Sequence, residues 1–244
     1  MLGKLVRLVL LLSLMLTSCI HTKPKPRSSI VQKQKAFLFI EATHMGVVCQ
    51  DNVCLPQTAM ANGSGFLIRK LPHEGMLGIT AAHLCDSPFQ NPFFTELRVN
   101  THDGKKYKAE IVKSLTNIDI CVLFIPKMKD VIALKVSPTP PQVGDPTHTV
   151  SAPLSIFRPG AILLFHGHYS GLISLHSDGH TIPTAPGSSG SPILNARGEI
   201  VGMTSAVMIG FNHFCISPRY KYLKEVIDLA FKVDLTKPEK DFGL

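Results

Sequence analysis

From Ala36 onward, short apolar runs rich in β-branched residues alternate with clusters of Gly, Pro, Asn and Asp. Runs this short, bounded by turn residues, predict strands rather than helices. The segments that qualify are Ala36 to Glu41, Gly65 to Arg69, Met76 to Thr80, Glu96 to Asn100, Lys106 to Val112 and Ile118 to Ile125. Val131 to Val136, Thr147 to Ser151, Ile162 to His166, His180 to Pro183, Pro192 to Leu194, Glu199 to Ser205 and His213 to Ser217 follow. A single open sheet of so many strands curls or splits, so the pattern predicts an all-β fold of two packed antiparallel barrels.

Helical spacing shows in one long segment, Tyr220 to Val233, where Tyr222, Leu223, Val226, Ile227, Leu229, Ala230 and Val233 make an apolar stripe shortly after Pro218. The folded domain is therefore expected to cover 36–234 and to close on a helix, with 235–244 a loose tail.

The start of the chain follows another pattern. Lys4 and Arg7 precede the apolar stretch Leu8 to Leu16, and Leu16-Thr17-Ser18-Cys19 comes next. The apolar stretch is too short to span a bilayer as a helix and reads, over 1–18, as a secretory leader. The tetrad LTSC resembles the lipobox of bacterial lipoproteins. That resemblance implies cleavage before Cys19, a lipid on its sulfur, and an exported protein anchored to a membrane of the cell envelope, on a periplasmic or extracellular face. An ordinary leader with a Cys near its end, and an uncleaved membrane anchor, are the alternatives. Residues 19–35 read as a basic tether: Pro24 and Pro26 oppose helix, and Lys23, Lys25, Arg27, Lys33 and Lys35 suit anionic headgroups.

The formal charge is +8, and loss of Lys4 and Arg7 with the leader leaves +6. Much of the excess lies in the tether and no aromatic-interleaved basic patch appears, which argues against a nucleic-acid partner. Of the six cysteines, five remain if Cys19 carries lipid, so one must stay unpaired within a monomer. Cys49 and Cys54 flank the turn-rich Gln50-Asp51-Asn52-Val53 and are expected to bridge in an oxidising compartment. Cys85, Cys121 and Cys215 sit among apolar residues and are expected as small buried hydrophobes. No Cys/His spacing fits a zinc site, and His166 and His168, on one strand face, lack a third ligand, so no metal is expected. Nothing in the sequence speaks to an oligomeric state.

Three short segments carry chemistry. Ile79-Thr80-Ala81-Ala82-His83 ends a strand in small residues that let an imidazole reach a barrel rim; taken alone, it is equally a surface or helix-start histidine. Asn117-Ile118-Asp119-Ile120-Cys121-Val122-Leu123 sets an Asp in an apolar run, where it needs a partner such as an imidazole N–H, or else caps a turn at the strand's start. Pro186-Gly187-Ser188-Ser189-Gly190-Ser191-Pro192 flanks a serine with glycines, which allows backbone N–H groups to converge on an oxyanion; a flexible Gly/Ser loop is the plain alternative.

Together, TAAH, DICVL and GSSGSP followed by EIVGMTSA resemble the chymotrypsin-like serine proteases, most closely the bacterial HtrA-type and glutamyl endopeptidase branches. The order His, Asp, Ser is the family's, with separations of 36 and 70 residues, and Val143-Gly144-Asp145 resembles a turn of HtrA-type enzymes. The resemblance runs from about Gly63 to Ser217. It implies two six-stranded-type antiparallel β-barrels with a C-terminal helix. It also implies a serine endopeptidase working through an acyl-enzyme without cofactor, with Ser189 as nucleophile, His83 as general base and then acid, Asp119 as orienting carboxylate, and the N–H groups of Gly187 and Ser189 as oxyanion hole. HtrA-type enzymes often carry a PDZ domain after the protease, and too few residues follow the helix for one.

The sequence departs from the family at Ser188, which replaces the usual Asn or Asp, and at Ser191, which replaces a Gly. Pro183 stands where trypsin has a pocket Asp, and Met203 and Thr204 stand where glutamyl endopeptidases have a His, so neither basic nor acidic preference is implied. Ser205, Ala206 and Val207 align with the strand that holds substrate, and Val207 would narrow the pocket toward small apolar side chains. His180 and His213 are alternative polar contacts there. The expected partners are a protein or peptide substrate and a membrane reached through the lipid anchor. Two other functions remain open at this point: a protease-like lipoprotein that holds peptides without turnover, and an esterase or acyltransferase using the same triad.

Overall fold

The computed structural model describes residues 29–232 apart from 52, 72–74, 130, 162 and 209. The leader, Cys19, most of the tether and the tail lie outside the described residues. A short helix α1 (Ser29–Lys33) leads into β1 (Phe37–Gln50), β2 (Val53–Leu71) and β3 (Gly75–Thr80), the one-turn helix α2 (Ala82–Cys85), then β4 (Asn91–Thr101), β5 (Lys106–Leu115) and β6 (Ile120–Pro126). The second half contains β7 (Pro146–Ser151), β8 (Leu163–Leu172), β9 (Ser177–His180), β10 (Pro192–Leu194), β11 (Ile200–Met203), β12 (Ala206–Met208), β13 (Phe211–Pro218) and the helix α3 (Tyr220–Ala230).

The first six strands close a barrel in the order β1-β2-β3-β6-β5-β4, and the other seven form a curled sheet in the order β11-β10-β7-β8-β9-β13-β12. The all-β fold of two antiparallel units with a C-terminal helix is the one expected from sequence, the second unit being a seven-stranded curled sheet rather than a closed six-stranded barrel. Leu38, Ile40, Met76, Leu97, Val99 and Leu123, which share one face through their cross-strand pairs, fill the barrel. Phe37 and Phe39, on the other face of β1, pack outward against Val150, Ala152 and Phe157 of the second unit. That explains why the start of β1 is buried on both faces while its continuation alternates.

The helix α3 lays Leu223, Val226, Ile227 and Ala230 on the barrel core. Its first turn is capped by Asp178 Oδ2, which accepts from Tyr220 N–H at 2.8 Å, and Arg69 Nη1 donates to the Phe231 carbonyl at 2.6 Å at its end.

Three expectations are corrected. Val131 to Val136 is not a strand: it crosses between the units, and only Val136 makes a single bridge, to Ile200. Its polar groups go to two strands, Leu134 N–H to Leu67 O of β2 and Lys135 O to Ile200 N–H of β11. The hairpin β1–β2 runs far beyond the two segments expected, to a tip where Cys49 faces Cys54 and is bonded to it. Finally, Cys85 and Cys121 are not buried thiols but a disulfide. Thr80 pairs with Cys121 across β3 and β6, and the turn of α2 after β3 swings Cys85 back over that strand. Cys215 is a buried thiol, as its apolar setting implied.

Candidate active site

His83 is the second residue of α2, at the barrel rim, with its side chain 49% exposed. Its Nδ1 lies 3.0 Å from Asp119 Oδ1 and 3.1 Å from Oδ2, and its backbone N–H donates to the same Oδ1 at 3.0 Å. Asp119 does not lie within a strand. It ends the 3-10 turn Thr116–Ile118 in a left-handed conformation, φ 53°, immediately before β6. Asp tolerates this region because its short polar side chain bonds locally. The residue therefore ends a turn and pairs with His83 at once, joining two readings that were alternatives.

The disulfide fixes this pair from below. Cys85 and Cys121 each lie two residues beyond His83 and Asp119, with the same separation of 36 residues. The helix that carries the imidazole is thus covalently joined to the strand that follows the carboxylate.

Asp119 has another donor, Ser205, whose hydroxyl bonds to Oδ2 at short range. Burial pushes the Asp119 carboxyl up, but the bonds from the His83 ring, the Ser205 hydroxyl and the His83 backbone together hold it below the ordinary aspartate value. Sequence reasoning placed Ser205 among substrate contacts only. Its position two residues after β11, beyond Thr204, gives its side chain to Asp119 and leaves its carbonyl to accept from Ser189 Oγ at 3.2 Å. In this conformation the Ser189 hydroxyl bonds to Ser205 and not to His83.

The loop around Ser189 accounts for its backbone donors one by one. Ser188 N–H bonds to Ala185 O, Gly190 N–H to Thr204 O and Ser191 N–H to Ser188 O. The N–H groups of Gly187 and Ser189 have no acceptor among the described residues. Gly187 and Gly190 are left-handed, at φ 95° and 87°. Around them the fit is close: a Cβ on Gly190 would stand 2.0 Å from Ser64 O, and one on Gly187 2.5 Å from Ala152 O.

Ser64, between Gly63 and Gly65, clamps this loop and was not singled out from sequence. Its hydroxyl donates to Gly187 O at 2.9 Å, its N–H donates to Ser189 O at 2.8 Å, and its carbonyl accepts from Thr80 Oγ1. The glycines on both sides were its only signal. From the other side Leu154 N–H holds Pro186 O at 2.6 Å. The two departures, Ser188 and Ser191, are buried, and neither hydroxyl has a partner among the described residues.

Of the expected substrate contacts, Pro183 is partly exposed and precedes Thr184, whose N–H bonds to Asn212 O at 2.7 Å. Ala206 and Val207 lie on β12, the last strand of its sheet, with one side unpaired. His213 is exposed, on β13. His180 is not a surface contact: it is fully buried against the Tyr169 ring, and burial pushes its imidazole down to about 3. His166 does not pair with His168 but faces His148 across β7 and β8, and among the described residues no group of three or more metal-ligating side chains occurs.

Comparison with known proteins places this geometry. The family model for a trypsin-like peptidase domain matches residues 63–203. A probable periplasmic serine endoprotease, DegP-like, of Buchnera aphidicola subsp. Schizaphis graminum is 25% identical over 154 residues, which is 61% of this chain and 30% of that protein. Among solved structures, the HtrA-type protease AlgW with a decapeptide superposes with a TM-score of 0.68 at 18% identity, over 84% of this chain and 66% of that one. A serine endoprotease from Yersinia pestis gives 0.63 at 15% identity with the same coverage. The chain thus spans under a third of that curated relative and 66% of each of these solved chains. With more than half of its length inside the family model, on a fold shared with HtrA-type proteases, the chain belongs to the trypsin-like peptidase family.

Proposed function

We propose that this protein is a serine endopeptidase whose triad is His83, Asp119 and Ser189. The observation that carries the reading is the accounting of donors: the carboxylate holds His83 by Nδ1, and the two N–H groups left over on the loop are those of Gly187 and Ser189. Asp119 keeps the ring proton on Nδ1, which leaves Nε2 free to accept.

In the reaction, Ser189 turns its hydroxyl from the Ser205 carbonyl toward His83. Its Oγ bonds to the carbonyl carbon of the substrate while its proton passes to Nε2. The negative oxygen formed is held by the N–H groups of Gly187 and Ser189. His83 then gives the proton to the departing amine, the C–N bond breaks and an ester to Ser189 remains. Water, deprotonated by His83, cleaves that ester and restores the enzyme. The residues before the cut bond lie along the unpaired side of β12, and Val207 and Pro183 border their pocket.

The leader-like pattern over 1–18, the lipobox-like Leu16-Thr17-Ser18-Cys19 and the basic segment 19–35 support an exported enzyme lipidated at Cys19 and tethered to an envelope membrane, and the named function of the Buchnera relative, a periplasmic endoprotease, agrees with export. An unbiased peptide library tests the reading: wild type releases products and Ser189→Ala releases none. Equal product from both would sink it.

A second reading, peptide binding without turnover, draws on one observation, that Ser189 Oγ bonds to Ser205 rather than to His83. Peptide binding by wild type with no cleavage across the library would favour it. Hydrogen bonds of this kind often tighten only with substrate present, so the endopeptidase is preferred.

A further inference from the structure

Away from the reactive loop, three stretches of chain meet around an open cavity of about 700 Å³, a size ordinary for small-ligand sites. Lys35 reaches it from the 3-10 turn Gln34–Ala36, Lys105 from the turn between β4 and β5, and Lys129 from the segment that follows β6 and crosses between the units. Asp103 is the one acidic residue among the described residues that line it. Its carboxylate accepts from Thr101 Oγ1 and lies 2.9 Å from Lys105 Nζ. Lys105 therefore answers Asp103, whereas Lys35 and Lys129 enter no ion pair among the described residues. Two uncompensated ammonium groups share one concavity, where their fields add and an anion relieves their repulsion.

The turn that forms the floor is held before any ligand arrives. Thr101 N–H bonds to Lys105 O at 2.9 Å, Gly104 N–H to Thr101 O at 2.8 Å, and Gly160 N–H of the second unit to His102 O at 2.8 Å. Gly104 is left-handed, at φ 82°, and a Cβ there would stand 2.7 Å from the Pro159 ring. One wall of the cavity is apolar. Val131 and Ile132 line it beside the lysines, Ile132 is 38% exposed, and Tyr107 adds a partly buried ring. A free inorganic anion makes no use of such a wall, but a phospholipid presents phosphate and hydrocarbon together. Lys35 is also the last residue of the basic segment 19–35, so the cavity stands where that segment joins the domain.

We infer that this cavity binds the headgroup phosphate of an anionic phospholipid, with Lys35 and Lys129 on the phosphate oxygens and Ile132 against the first methylenes of an acyl chain. The inference rests on the proposed lipid anchor only for access to a membrane. Cys19 lies 16 residues before Lys35, a reach of at most about 55 Å. At the effective concentration such a tether imposes, a site of modest affinity stays occupied. The anchored domain then sits with one face on the bilayer instead of swinging freely on its tether. The positive charge selects against zwitterionic choline headgroups, and the apolar wall selects against free phosphate.

Calorimetric titration of the full chain tests this with dihexanoylphosphatidylglycerol below its micelle concentration, dihexanoylphosphatidylcholine, glycerol 3-phosphate and inorganic phosphate. Dihexanoylphosphatidylglycerol should bind at least tenfold more tightly than the other three. Lys35→Ala and Lys129→Ala should each weaken it roughly fivefold, and Lys221→Ala, exposed on α3 and outside the cavity, should leave it unchanged; melting temperatures serve as folding controls. Ile132→Ser should weaken dihexanoylphosphatidylglycerol roughly fourfold, the worth of one buried methylene, and leave glycerol 3-phosphate unchanged. With the protein anchored in vesicles, hydrogen exchange over Thr101 to Tyr107 should be slower in phosphatidylglycerol than in phosphatidylcholine, and Lys35→Ala/Lys129→Ala should erase the difference. Equal affinity for inorganic phosphate would overturn the lipid in favour of a simple phosphate site. Equal affinity for the two lipids, or binding that ignores both lysines, would overturn the site itself. The calorimetric pattern in a protein whose Cys19 carries no lipid by mass spectrometry would overturn the anchor and leave the site standing.

Discussion

His180 offers a quantitative test of how the second unit is built. The side chain is fully buried, neither ring nitrogen has a partner among the described residues, and burial pushes the imidazole from 6.5 down to about 3. Above the unfolded value both states are neutral and the group contributes nothing to pH dependence. Between about 6.5 and 3 the unfolded chain takes up a proton that the folded chain refuses, so stability falls as pH falls, by about 1.4 kcal/mol per pH unit. At pH 5 the loss is about 2 kcal/mol. Replacing His180 by Leu removes the titrating group and two unpartnered nitrogens, and the variant should be about as stable as wild type near neutrality. Urea unfolding of both proteins at pH 7.5 and pH 5 gives a double difference in which other titrating groups cancel, provided the m-values agree. Wild type should lose about 2 kcal/mol more than His180→Leu between these two pH values. Parallel losses would refute the account of His180 as a neutral imidazole enclosed by the sheet.

Other predictions concern the reactive loop and its supports. Ser205→Ala removes one donor to Asp119, so the Asp119 carboxyl, followed by NMR, should titrate at higher pH, and kcat/KM should fall roughly tenfold. Removing the Cys85–Cys121 bridge by double substitution to Ala frees a closure of 36 residues and should cost about 4 kcal/mol, read from urea midpoints. Gly190→Ala forces a side chain into a left-handed position 2.0 Å from Ser64 O. It should cut kcat/KM roughly a hundredfold or more, whereas Gly144→Ala, also left-handed but with nothing within 4 Å, should leave kcat/KM unchanged and cost only about 1 kcal/mol of stability.

Strands and reactive segments were legible because each is local. TAAH, DICVL and GSSGSP sit in runs whose apolar spacing marks the ends of strands, and α3 shows its stripe directly. Asp119 was read into a strand because Ile118 and Ile120 make one apolar run, while the left-handed turn between them depends on the partners His83 and Ser205, both remote in sequence. The Cys85–Cys121 bridge depends on β3 pairing with β6, a contact that no local pattern encodes. Pro56 stands within β2, on an edge with which no strand pairs among the described residues, so no N–H is asked of it there. Val131 to Val136 has the composition of a strand, yet its hydrogen bonds are divided among elements that only the packing of the two units brings together.

The central claim is that Ser189 is the nucleophile, activated by His83. A fluorophosphonate, whose phosphorus is attacked by an activated serine with loss of fluoride, should add once to wild type, and peptide mass mapping should place the added mass on Ser189. His83→Ala should slow the addition by several orders of magnitude and Ser189→Ala should abolish it. An adduct on another residue, or equal labelling of Ser189→Ala, would contradict the account.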